Sequence, residues 1–156
     1  LDTIAKNLER LGIQIPDAPR PLGNFAPYLL DGEYLYISGQ ISIDADGEVV
    51  RGKLGADVDL ERGYEAARFC AIGILARAKA AIGDLEKVEK LLKLGAFVNA
   101  VPDFSEHPKV VDGASDLMVQ VFGPQKANHV RFAVGNASLP ANAAVEVEAV
   151  FRVKSR

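Results

Sequence analysis

Cysteine, histidine and clustered positive charge are all scarce in this chain of 156 residues, and each scarcity closes off a class of chemistry. A single cysteine, Cys70, can build neither a disulfide nor zinc-ligand spacing within the chain. It sits in an Ala-rich apolar run, which predicts a buried structural thiol rather than a reactive one. Two histidines, His107 and His129, are the minimum for an acid–base pair of the ribonuclease type, but both fall in expected loops or at element ends and read as ordinary surface residues. Lys and Arg form no stripe, net charge is −3 and the pI is about 5.4, so phosphate-backbone binding is not the main task and no nucleic-acid partner is expected. No apolar run reaches the roughly 18 residues of a membrane span. No basic segment followed by an apolar one opens the chain, so the expected compartment is cytoplasmic. The sequon Asn136-Ala137-Ser138 therefore reads as chance. Gly-rich phosphate loops, H-E-x-x-H, C-x-x-C and G-x-S-x-G are missing too.

What is present is a composition of 49% hydrophobic and 25% charged residues, enough for the core of one domain over 1–156. Leu1, Ile4, Leu8 and Leu11 recur at helical spacing and predict a short amphipathic helix. Four prolines in the thirteen residues of IPDAPRPLGNFAP predict an extended connector. YLLDGEYLYISGQ reads as a hairpin turning on Asp31-Gly32, and DADG at 44–47 as a second turn leading to a short strand over Glu48 to Val50. From Asp57 to Ile82 the spacing becomes helical, with Asp57 or Asp59 as cap and Gly83 as stop. The alternation Leu92, Leu94, Ala96, Val98 marks a strand. Pro108 to Phe122 is a second long helix with proline in its first turn, although Gly113 weakens that end. GPQKAN is a loop, and the last two strands follow. The order predicts a two-layer α+β domain with both long helices on one face of a mixed sheet. The opposite face is too apolar to stay wet, which predicts a partner subunit.

The stretch HVRFAVGNASLPANAAVEVEAVF poses a sharper question. Strand alternation puts Val130, Phe132 and Val134 on one face and Arg131, Ala133 and Gly135 on the other. Arg131 thus shares its face with small residues that leave room for a carboxylate, the bidentate partner a guanidinium prefers. Glu146 and Glu148 likewise share a face, opposite Val145 and Val147. Two readings stay open: Arg131 receives a ligand, or it pairs with Glu146 or Glu148 across neighbouring strands and holds the sheet together.

These residues resemble the YjgF/YER057c/UK114 family, also called the Rid (reactive intermediate deaminase) family. APYLLDGEYLYISGQ, the strand ending in FVNAVPDF, and above all Arg131, eight residues, Pro140 and then VEVEA carry the resemblance, which covers roughly residues 25–154. Residues 1–24 look like the N-terminal extension of a longer subgroup. The resemblance implies a β-β-α-β-α-β sheet with two helices on one face, chorismate mutase-like, and a homotrimer with clefts between neighbours. It implies hydrolysis of reactive enamines and 2-imino acids to 2-keto acids and ammonia, without cofactor or metal. By position, Arg131 matches the arginine that binds the substrate carboxylate and Glu146 the glutamate that positions water. Tyr28 matches a tyrosine at the site's edge, and Ser38 and Gly39 match a turn bordering the pocket. Ala133 stands where many members have a cysteine whose backbone contacts the ligand, so a backbone role survives and a thiol role does not. The loop over 123–129 is longer than in short members, and the helix asparagine of the family has no clear counterpart. Two further functions are implied as alternatives: a trimeric carboxylate-binding or chaperone-like protein, and an endoribonuclease.

Overall fold

The computed structural model describes residues 3–18, 20, 21 and 23–154. Helix α1 spans Thr3–Leu11, strands β1 and β2 span Tyr28–Asp31 and Tyr34–Ile41, and helix α2 spans Leu60–Ile82. Strand β3 (Val88–Asn99), helix α3 (His107–Phe122) and strands β4 (Val130–Asn136) and β5 (Val145–Val153) complete the chain. This is an α+β fold, a five-stranded mixed sheet in the order β1-β2-β5-β3-β4. Every pairing is antiparallel except β3 with β4, which run parallel because α3 carries the chain back between them.

Local chemistry accounts for most of the boundaries. The hairpin forms where expected, but its two loop residues are Gly32 and Glu33; Asp31 is still in the strand, opposite Tyr34. Gly32 takes the positive φ of 60° that the first position of such a turn requires. Asp59, not Asp57, caps α2 by accepting from the Arg62 N–H, and the Gly83 N–H closes the far end on the Lys79 carbonyl. Asp57 instead accepts from the Lys53 N–H. The strand expected over Glu48 to Val50 reduces to single bridges such as Ile43 to Val49, because the Asp44 carboxylate takes the N–H groups of both Asp46 and Glu48. Described residues of the proline-rich connector carry neither helix nor strand; Pro19, and Leu1 of the expected first helix, lie outside the described residues.

Helices α2 and α3 pack on one face of the sheet. Leu35, Leu91, Leu94, Ala96, Val98, Val145, Val147 and Phe151 point into that layer and are fully buried. The expected inward series is broken at Leu92: a bulge between Leu91 and Lys93 turns Leu91 inward in its place. Gly113 is the point where the two helices touch, since a Cβ there would lie 2.0 Å from the Tyr64 carbonyl oxygen. Cys70 is fully buried, its Sγ–H directed at the Val145 carbonyl at 3.4 Å, and burial pushes the thiol well up. Helix α1 is tied on by Asn7, which donates to the Val121 carbonyl, and by the Ile4 N–H, which donates to Glu86. The other sheet face meets no helix and carries exposed Leu29, Tyr34, Tyr36, Val130 and Val134. No helix among the described residues is long and apolar enough to cross a membrane.

Candidate functional site

The singled-out residues fall into two groups on opposite faces of the sheet. The first surrounds Glu146. Pairing of Ile41 and Phe97 with Glu146 places its side chain on the open face. The register of β2 shifts between Ile37 and Gln40, and this bulge brings Ser38 and Gly39 alongside. A Cβ at Gly39 would lie 2.8 Å from Glu146 Oε2, so only glycine lets the carboxylate rest there. The Ser38 hydroxyl donates to the Ala26 carbonyl at 2.7 Å, which leaves its lone pairs to accept. Partial burial, then the like charge of Glu148, raise the Glu146 carboxyl above the usual carboxylate range. Tyr28, expected at the edge of this site, is not part of the group: it pairs with Ile37 and packs against the core on the covered face.

The second group lies along β4, an edge strand. Arg131 pairs with Leu94 and Ala133 with Ala96, so the two share a face, as strand alternation predicts, and that face is the one turned to the helix layer. Arg131 is 22% exposed, and α3 holds its guanidinium from one stripe of residues. Nη1 donates to Asp112 Oδ1 at 2.8 Å and to Ser115 Oγ at 2.9 Å, and Nη2 donates to the Pro108 carbonyl at 3.0 Å. Pro108, Asp112 and Ser115 are spaced four and three apart, the period of a single helix face. Three bonds consume at most three of a guanidinium's five N–H donors, so at least two are unspent among the described residues. On the same face Ala133 packs against the core, and His107 closes over Gly135, its Nε2 2.6 Å from where a Cβ there would be.

This arrangement corrects one of the two sequence readings. Arg131 does not pair with Glu146 or Glu148, because β3 runs between β4 and β5 and the side chains point to opposite faces. Its ion pair is with Asp112, which sequence reasoning missed together with Ser115. A signal was available in the i, i+4, i+7 stripe of α3, but nothing in the sequence said which strand that stripe would meet. His129 is also more than a surface histidine: both ring nitrogens are hydrogen bonded, to Ser115 and to the Ala127 carbonyl. Among the described residues no three or more His, Cys, Asp or Glu side chains gather to hold a metal ion.

Comparison with known proteins follows the same outline. Residues 6–152 match the family described as "YjgF/chorismate mutase-like, putative endoribonuclease". The chain is 43% identical to protein TCP17 of Trypanosoma cruzi over 97% of this chain and 95% of that protein. It is 28% identical to a 2-iminobutanoate/2-iminopropanoate deaminase of Dermatophagoides farinae, covering 88% of this chain and 92% of that one. The crystal structure of Atu1372 from Agrobacterium tumefaciens, a protein of unknown function, superposes with a TM-score of 0.89 at 41% identity, over 98% of this chain and 95% of the other. With its sheet order, its helix layer and nearly its whole length matched, the chain belongs to the YjgF family, with the chorismate mutase-like fold.

Proposed function

We propose that the protein hydrolyses reactive 2-imino acids and their enamine tautomers to 2-keto acids and ammonia. Arg131 binds the substrate carboxylate, and Glu146 positions and polarises the attacking water. Water adds to the C=N carbon, a proton passes to nitrogen, and collapse of the carbinolamine expels ammonia; the step needs no redox partner. The observation that carries this reading is the state of Arg131: fixed by α3, partly buried, and with N–H donors unspent beside Ala133. A carboxylate can take these donors without any rearrangement of the arginine. Asp112 moderates the positive charge, so an anion is held mainly by geometry and released readily. The raised Glu146 carboxyl suits proton traffic better than an ordinary surface glutamate. The deaminase relative supports the same chemistry.

Within one chain Arg131 and Glu146 lie on opposite faces of the sheet, so the site we propose is composite. Glu146, Ser38 and Gly39 of one copy face Arg131 and Ala133 of the next across a cleft in a homotrimer. The exposed apolar face carrying Leu29, Tyr36 and Val134 supplies the surface for such an assembly. Closed cyclic symmetry would bury it without open-ended growth.

The test is keto-acid release from freshly generated 2-iminobutyrate, followed against the spontaneous rate. Wild type accelerates it. Arg131→Ala abolishes the acceleration with the fold intact, and Arg131→Lys largely fails because a point charge does not reproduce the planar fork. Equal rates for wild type and Arg131→Ala overturn the assignment. Pyruvate binding without turnover would favour a binding protein, and RNA cleavage would favour an endoribonuclease.

A further inference from the structure

Arg131 is the last link in a chain of hydrogen bonds that begins at a backbone carbonyl. His129 Nδ1 lies 2.5 Å from the Ala127 carbonyl oxygen, and His129 Nε2 lies 2.9 Å from Ser115 Oγ. Ser115 Oγ in turn receives Arg131 Nη1 at 2.9 Å. The direction of each bond follows from what each atom can do. A carbonyl only accepts, so Nδ1 carries the proton. In the neutral ring Nε2 then has a lone pair and accepts the Ser115 O–H. The hydroxyl proton is thereby spent toward His129, and the oxygen lone pairs are aimed at Arg131.

Two features set this arrangement apart from ordinary packing. A serine in mid-helix commonly bonds back to a carbonyl one turn earlier; Ser115 instead bridges two side chains of the β4 segment. In addition, Nη1 is pinned from two sides, by the Asp112 carboxylate and the Ser115 hydroxyl, while Nη2 is held by Pro108. Asp112 alone fixes the charge. The hydroxyl, whose own orientation is set by His129, fixes the rotation of the guanidinium plane and so decides where the unspent N–H donors point.

We infer that Ser115 and His129 are positioning residues: a relay from the Ala127 carbonyl through His129 and Ser115 that orients the Arg131 guanidinium for a carboxylate ligand. The consequence for catalysis rests on the proposed deaminase reading, but the positioning itself does not. A pre-oriented arginine binds its ligand without spending side-chain freedom at that moment. Losing the relay therefore weakens binding of the carboxylate while leaving the chemistry at the C=N carbon in place.

The experiment has a spectroscopic and a kinetic arm. Nitrogen-15 NMR of the arginine side chains, with Arg131 identified through Arg131→Lys, reads guanidinium rotation directly and needs no ligand. Wild type shows resolved, slowly exchanging Arg131 Nη signals. Ser115→Ala and His129→Phe collapse them, and Ser115→Thr, which keeps the hydroxyl, restores them. In the second arm, Ser115→Ala raises the pyruvate Kd and the KM for 2-iminobutyrate about tenfold, the scale of one lost bond to a charged group, with kcat little changed. His129→Gln serves as a milder variant should the phenylalanine not fold. Unchanged Arg131 signals in Ser115→Ala overturn the relay. Collapsed signals with unchanged pyruvate Kd and KM would overturn its role at the site. Failure of wild type to hydrolyse imines, with pyruvate binding still dependent on Arg131 and Ser115, would overturn the deaminase reading alone.

Discussion

The two faces of the sheet are built from the same strands by the same alternation, yet they obey different rules. On the covered face Leu94, Val98, Val147 and Phe151 are fully buried, and their sizes answer to α2 and α3. On the open face the intervening residues are Glu146, Glu148, Tyr36 and Val134, a mixture that neither buries well nor dissolves well. Physically, the first face is finished within one chain. The second leaves Tyr36 and Val134 exposed, and it carries the carboxylate group of the proposed site. Arg131 is the exception that makes the comparison useful, because it is a charged residue on the covered side, at the edge where α3 ends the layer and supplies its partners. Substitutions on the two faces should therefore fail in different ways.

The largest effects belong to the helix layer and the strand residues it covers, beginning where the two helices touch. Gly113→Ala in an exposed helix would gain about 1 kcal/mol in propensity. Here the added methyl meets the Tyr64 carbonyl oxygen at 2.0 Å, and backbone cannot swing aside as a side chain can. We expect net destabilisation at or beyond the upper end of the roughly 1–3 kcal/mol typical of overpacking, read as a fall in the urea midpoint. A midpoint that rises would mean that α2 and α3 do not cross this closely.

Next comes a paired test of the faces. Leu94→Ala, on the interior strand β3 and facing the helices, should cost about 2–5 kcal/mol of folding stability. Tyr36→Glu combined with Val134→Glu, on residues 45% and 43% exposed, should leave the far-ultraviolet spectrum intact. If the proposed trimer forms, light scattering should find the pair reduced from about three chains to the 16.7 kDa of one, with imine hydrolysis lost along with assembly. A monomeric double variant that still turns over imines would show that the site is complete in one chain.

The same contrast explains how far the sequence could be read. Covered-face elements were legible because burial imposes a period: both long helices, the hairpin and the alternation of β4 and β5 follow from spacing, but which face of β4 meets the helices does not, since its apolar side, Val130 and Val134, is the exposed one. Where two apolar residues compete, as at Leu91 and Leu92, period cannot choose, and a bulge decides. The short strand after Asp44 shrank to single bridges as the Asp44 carboxylate took the Glu48 N–H at its start. Separation of Arg131 from Glu146 was beyond reach for a different reason. Both lie on consecutive strands, but the parallel return through α3 leaves β3 between them, and only long-range topology shows this.

The smallest effect is the most diagnostic of the open face, and it concerns Glu146. Burial, followed by repulsion from Glu148, raises its carboxyl pKa in the folded protein. A raised acid binds its proton more tightly folded than unfolded. The stability it contributes is thus fully present below the ordinary carboxylate value and is lost as pH rises through the folded value. At neutral pH the wild type carries that loss; Glu146→Gln, which keeps the shape and never ionises, does not. Calorimetry should therefore find the variant melting slightly above wild type at pH 7, with the gap closing near pH 3.5, where Glu146 is protonated in both states. The same substitution should slow imine hydrolysis by about 10²-fold while pyruvate binding persists. A variant that instead melts below wild type at pH 7 would report a cation held directly against Glu146 in the assembled protein. Since Arg131 of the same chain points to the other face, that cation would have to come from a neighbour, and the pairing absent within one chain would be restored between two.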